Sequence, residues 1–245
     1  MLNRFHNEYD SLVTEYIGLY RLYIFIQKRD LGGEIALNMN SSELLLVMTW
    51  AAQLLVAVFF IAGFVSFYTE IWDQAFVNPR RSRRERISMR VVLVVLSVGL
   101  ASILHVAGYI SGSSAMMFHN IGLFILVFSL LDADINIGEY LVRCFALVAV
   151  WLMHHVNDFM MMKFAVSMII AIIVMITIWR YRSYIEPHFP IRLLISTIIA
   201  LDFWFTLPYH SASMHMNMST SIEAVLMFFL MKLSTGRQQS LWAHN

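Results

Sequence analysis

Cysteine is nearly missing from this chain. The single one, Cys144, excludes an intrachain disulfide framework and any CxxC metal or redox motif, so stability has to come from packing. Charge is scarce as well, at 13% of residues, where an ordinary soluble domain carries about 25%. Glycine and proline number only 10 and 4, which argues against the broken helices of many transporters and for long uninterrupted ones. No GxSxG, HExxH, P-loop or cysteine with a nearby base occurs, so no catalytic signature marks the chain as an enzyme. Apolar residues fill the space: 59% of the chain is hydrophobic and the mean hydropathy is +0.67.

A chain of 245 residues with this composition reads as an all-α integral membrane bundle, most of it given to bilayer spans of about 20 residues each. Residues 44–68 (LLLVMTWAAQLLVAVFFIAGFVSFY) form a charge-free run of that length. Residues 91–111, 160–179 and 191–207 are further candidates, and the shorter runs 114–131, 140–154 and 220–233 bring the expectation to seven transmembrane helices. The start MLNRFHNEYD has no apolar h-region, so the first span is expected to serve as the targeting element. In SLVTEYIGLYRLYIFIQ, Leu12, Tyr16, Leu19, Tyr20, Tyr23 and Ile24 fall near one helical face, the pattern of an N-terminal amphipathic helix lying in the interface. Gly32 and Gly33 would end it, and NSSE at 40–43 would cap the first span. The organisation expected is therefore an interfacial segment (1–43), a bundle (44–233) and a cytoplasmic tail (234–245).

Positive charge sets the orientation. The short connector NPRRSRRERISMR carries Arg80, Arg81, Arg83, Arg84, Arg86 and Arg90, a pattern retained on the cytoplasmic side. Alternating spans then place Arg180, Arg182 and Arg192 inside, together with Lys232, Arg237 and the C-terminus. The expected location is the cytoplasmic membrane, multi-pass, with the lipid bilayer as first partner. The arginine cluster lacks the aromatic interleaving of a nucleic-acid surface, so no nucleic-acid partner is expected.

With that orientation, histidine and methionine collect outside. The outer connectors and helix ends bring His105, His119, His154, His155, His210 and His215 to one face, together with Met116, Met117, Met153 and Met160–Met162. In YHSASMHMNMSTS, Met214, Met216 and Met218 alternate around His215. Thioether and imidazole suit Cu(I), so Met153, His154, His155, His210, Met214, His215, Met216 and Met218 are the candidate ligands of a soft-metal site, with copper as the cofactor expected there. His154 and His155 are adjacent on a helix end and point about 100° apart, so they do not form a simple ligand pair. Haem would instead need His105 facing His119 or His154 across helices.

Ionisable groups inside spans carry more information, because insertion scales charge about 2.5–3.5 kcal/mol for a central Asp or Lys. Asp202 is the clearest case, and Lys163 and Glu223 lie near the outer ends of their spans, so an Asp202 to Lys163 pair is geometrically open. Asp132 and Asp134 fall in an inner turn with DxD spacing.

Met153-His154-His155-Val156 and Met214-His215-Met216-Asn217 resemble the Met-His-Tyr-Thr motif repeated near the outer helix ends of one family of multi-span bacterial sensor domains, keeping Met-His and losing Tyr-Thr. Such domains precede cyclic-di-GMP signalling domains. The resemblance implies a sensory or regulatory module coupling an extracytoplasmic signal to a cytoplasmic partner or output domain, and self-association is compatible with it. Two other functions fit the composition: a copper-binding or copper-transport protein, and an envelope or polysaccharide-export assembly subunit.

Overall fold

The computed structural model describes residues 41–155, 162–211 and 214–242. The expected amphipathic helix and Asn40 of the expected cap lie outside them. Contacts divide the chain into Met1–Met48 and Thr49–Asn245, and the bundle belongs to the second unit. Among the described residues the architecture is all-helical, with seven helices: α1 (Ser41–Trp72), α2 (Arg83–Ile110), α3 (Ala115–Leu130), α4 (Ile137–His154), α5 (Met162–Ile185), α6 (Phe189–Thr206) and α7 (Met218–Trp242). A two-residue antiparallel pair, His210–Ser211 with Met214–His215, joins α6 to α7. π-helical turns end α1 at Asp73–Val77 and interrupt α2 at Val95–Gly99.

Five stretches are long and apolar enough to cross a membrane: Val47–Val77, Arg83–Ile110, Ile137–His154, Met162–Ile185 and Phe189–Thr206. Ala115–Leu130 is apolar but shorter. The last helix runs to Trp242, through residues expected to form a tail, because nothing between 234 and 242 breaks a helix except the lone Gly236.

Two helix starts are fixed by reciprocal caps. Ser82 Oγ accepts from the Glu85 amide at 3.3 Å while Glu85 Oε2 accepts from the Ser82 amide at 2.8 Å, and Asn136 and Glu139 repeat the arrangement at 2.9 and 3.1 Å. Each cap contributes about 1 kcal/mol. Arg86 closes the preceding π turn by donating from Nε and Nη2 to the carbonyls of Ala75 and Phe76. Arg90 makes a forked ion pair with Glu139, at 2.7 and 3.1 Å, that ties α2 to the first turn of α4.

Burial runs opposite to that of a soluble bundle. On α1, Trp50, Leu54, Ala57, Ile61, Phe64, Tyr68, Ile71 and Ala75 alternate steps of four and three and are buried, the seam of a packed helix. Its other faces are equally apolar yet exposed, including Val56, Phe59 and Phe67. Ile103, Phe145, Ile172, Ile176 and Leu194 continue this exposed belt around the molecule. In water such a surface would be a large uncompensated patch; in lipid it meets its natural solvent. Helix α3 sits at the centre, buried almost all round and packed against α2, α4, α6 and α7. Asn120 holds it there: its Oδ1 accepts from Trp204 Nε1 of α6 at 2.8 Å and its Nδ2 donates to the Ala224 carbonyl of α7 at 3.0 Å.

Candidate metal site

Helices α2 and α3 run antiparallel, and each contributes one His-x-x-Gly tetrad: HVAG at 105–108 and HNIG at 119–122. The antiparallel register places each imidazole over the other helix's glycine. A Cβ at Gly122 would come within 2.9 Å of His105 Cδ2, and one at Gly108 would overlap the His119 ring outright. Glycine is needed at both positions so that two full imidazoles fit between two closely packed helices.

The rings of His105 and His119 stack, with centroids 5.2 Å apart and Nδ1 atoms 3.0 Å apart. His154, on the last turn of α4, closes the group edge-on, with ring centroids 4.6 Å from His119 and 5.7 Å from His105. One nitrogen from each of the three histidines lies within 4.8 Å of the other two. His105 and His119 are wholly buried and His154 is 4% exposed. The Nε2 atoms of His105 and His119 are buried with no hydrogen-bond partner. Tyr109, Phe203 and Trp204 form the walls: Tyr109 stacks on His154 and donates from its hydroxyl to the Met153 carbonyl, while Phe203 and Trp204 present their rings edge to face.

Three converging imidazoles could hold a metal ion, and imidazole suits Zn, Cu, Fe or Ni. They are not a haem site. Axial histidines point at opposite faces of a porphyrin, whereas the direct contact between the Nδ1 atoms of His105 and His119 leaves no slot for a macrocycle.

The other expected site residues are placed as follows. His155 sits beside the cluster but turns away, with Nδ1 2.9 Å from the Trp151 carbonyl and Nε2 3.2 Å from the Thr206 carbonyl of α6; a neutral imidazole carries one N–H and donates to one of the two. His210 and His215 pair across the short strands with ring centroids 4.4 Å apart, and among the described residues no third histidine, cysteine or carboxylate joins them as a metal donor. Met214 pairs with Ser211 in that register, Met216 is buried and Met218 is exposed. Met153 contributes its carbonyl to Tyr109. Asp202 is 7% exposed, and its carboxyl group interacts with the Ser167 hydroxyl. Lys163 is exposed whereas Asp202 is buried, and no ion pair joins the two among the described residues. Glu223 is half-buried, with Ser219 Oγ 3.4 Å from its Oε1.

A second polar group lies at the far end of α3, about 20 Å along the axis from His119. Asp132 accepts from the Tyr68 hydroxyl at 2.9 Å and from Trp72 Nε1 at 3.3 Å. Arg143, fully buried on α4, reaches the Tyr68 hydroxyl at 3.5 Å and the Glu139 carbonyl at 3.2 Å. Beside them a cavity of about 140 Å³ is lined by Asp132, Glu186, Arg192 and Lys232, with Lys232 over the rings of Phe124 and Phe128. Burial raises the Glu186 carboxyl above the usual carboxylate range, helped by the nearby Asp134 and Asp132, and burial raises Asp132 as well.

No protein-family model, curated protein or solved structure matches the chain. The site's chemistry therefore has to be argued from its own residues. The sequence contained one sign of it, the repeated His-x-x-Gly tetrad; Arg143, Tyr68 and Asn120 carried none, since no motif or spacing links them.

Proposed function

We propose that this chain is a multi-pass membrane module of sensory or regulatory type whose input is a transition-metal ion held by His105, His119 and His154. The observation that carries the reading is the convergence of three buried imidazoles, one from each of three helices, within 4.8 Å. An ion bound there bridges α2, α3 and α4 and favours whichever packing of those helices brings the nitrogens to bonding distance. Asp132, just past the end of α3, and Arg143, on α4, both lie toward the end away from the histidines, so a change in the packing of α3 and α4 reaches the second polar group without any separate relay.

The orientation belongs to the same proposal. Seven spans with Arg80–Arg90 inside put the histidines in the outer half of the bundle and the Asp132 cavity near the cytoplasm, where a partner or output domain would read it. Transport of the ion is the second reading. Enclosure of the cluster favours retention, which suits a sensor better than a carrier.

Elemental analysis of the detergent-purified protein, with titration by Cu, Zn, Ni, Co and Fe at neutral pH, tests the input. About one ion per chain in wild type, lost in His119→Phe, is the outcome expected. Wild type that stays empty with every ion ends the proposal. Reporter fusions at Arg83 and Ser211 test the orientation, with Arg83 inside and Ser211 outside.

A further inference from the structure

The histidine cluster differs from a zinc site in what it lacks near the ion. Structural zinc is four-coordinate, and sites with three protein ligands complete the shell with water or an anion. Among the described residues the converging donor set is three imidazoles, with no carboxylate or thiolate in it. Asp202 is not a member of that set, and Cys144 lies ten residues before His154 on α4, nearly three turns toward the opposite end. The space around the cluster is taken by Tyr109, Phe203 and Trp204.

These features rank the ions. A divalent ion among three neutral ligands leaves two uncompensated charges in an apolar interior, and the cost of burying charge rises with its square, so a monovalent ion pays about a quarter as much. Cu(I) is monovalent, is well served by imidazole and imposes no d-electron geometry; Cu(II) wants a tetragonal set that this trio does not provide. Resting on the reading of the cluster as a metal site, we infer that His105, His119 and His154 form a three-coordinate Cu(I) site, selective for Cu(I) over Zn(II) and independent of the methionine-rich connector.

The test uses the full chain in detergent, without oxygen. Cu(I) is titrated against a chromophoric Cu(I) chelator and Zn(II) against a chromophoric Zn(II) chelator, in wild type, His119→Phe and a Met214→Leu, Met216→Leu, Met218→Leu triple variant. Wild type and the triple variant should each hold one Cu(I), with Zn(II) at least about 100-fold weaker, and His119→Phe should lose the site. X-ray absorption of Cu(I)-loaded wild type requires no variant to fold and should show three nitrogens at about 2.0 Å and no sulfur. Zn(II) held as tightly as Cu(I) overturns the selectivity while leaving the metal-input reading in place. Loss of Cu(I) in the triple variant, or sulfur in the shell, moves the site to the connector and overturns the inference. A wild type that binds neither ion overturns the inference, and the metal-input reading then stands or falls on the titration with Ni, Co and Fe.

Discussion

His119 occupies the space that any side chain at Gly108 would need, and His105 stands in the same relation to Gly122. The two helices thus exchange an imidazole for a missing Cβ, twice, about a local two-fold relation. Ordinarily Gly→Ala inside a helix stabilises it by about 1 kcal/mol. At Gly108 the sign should reverse, because the methyl group must push an enclosed ring. Gly108→Ala is expected to lower the melting temperature and abolish stoichiometric metal binding, whereas Gly63→Ala, whose Cβ would meet nothing within 4 Å, should do neither. Thermal melts with and without added metal distinguish the two variants.

Asn120 is the hydrogen-bonded centre of the bundle. Asn120→Leu removes the acceptor for Trp204 Nε1 and a second donor to the Ala224 carbonyl, which keeps its helical bond, so one buried polar group, the Trp204 indole N–H, is left unpaired. Interhelical bonds in membranes average about 0.6 kcal/mol, and each orphaned group in a dry interior costs about 1–3 kcal/mol. A loss of about 2 kcal/mol is expected in a reversible unfolding assay in mixed micelles, with an unchanged value refuting the assignment.

Glu139 does two jobs, pairing with Arg90 and completing the α4 cap with Asn136. Glu139→Ala should therefore cost more than Arg90→Ala. The ion pair is partly exposed and contributes at most about 1 kcal/mol, weakening with salt, while the cap adds about 1 kcal/mol that salt does not screen. Unfolding of both variants at low and high salt checks the split: their difference should persist at high salt.

The cavity at the far end makes stability depend on pH. Glu186 is raised by burial and by the carboxylates Asp134 and Asp132, with Arg192 and Lys232 facing the same space. A carboxyl raised in the folded state contributes stability that is fully present below the ordinary carboxylate range and is lost as pH climbs through the raised value. Glu186→Gln should melt higher than wild type at pH 8 and no higher at pH 4. Equal offsets at the two pH values would show that the charge on Glu186 is not responsible.

The paired histidines of the connector are separate from the buried cluster. His210→Ala with His215→Ala should leave the metal stoichiometry of the purified protein at its wild-type value. A fall to zero would transfer the site to the strands.

The amino-acid sequence by itself determined that the chain is helical and apolar beyond any soluble domain, because scarce charge and long hydrophobic runs leave the backbone no other way to satisfy its hydrogen bonds in lipid. It also put His105, His119 and His154 near one end of the bundle, since alternating spans bring those helix ends together whatever their packing. It could not say which side of each helix faces in. On α1, Ile61 is buried and Phe59 exposed, yet both are apolar, so the contrast that reveals a soluble helix's inner face is absent. Only tertiary structure decided that Gly108 and Gly122 let α2 and α3 approach, that His155 turns its ring toward backbone carbonyls while His154 turns inward, and that Arg143 meets Tyr68. Each of these depends on helix rotation, which is set by the fit of side chains between neighbours and leaves no periodic mark in a sequence that is apolar on every face.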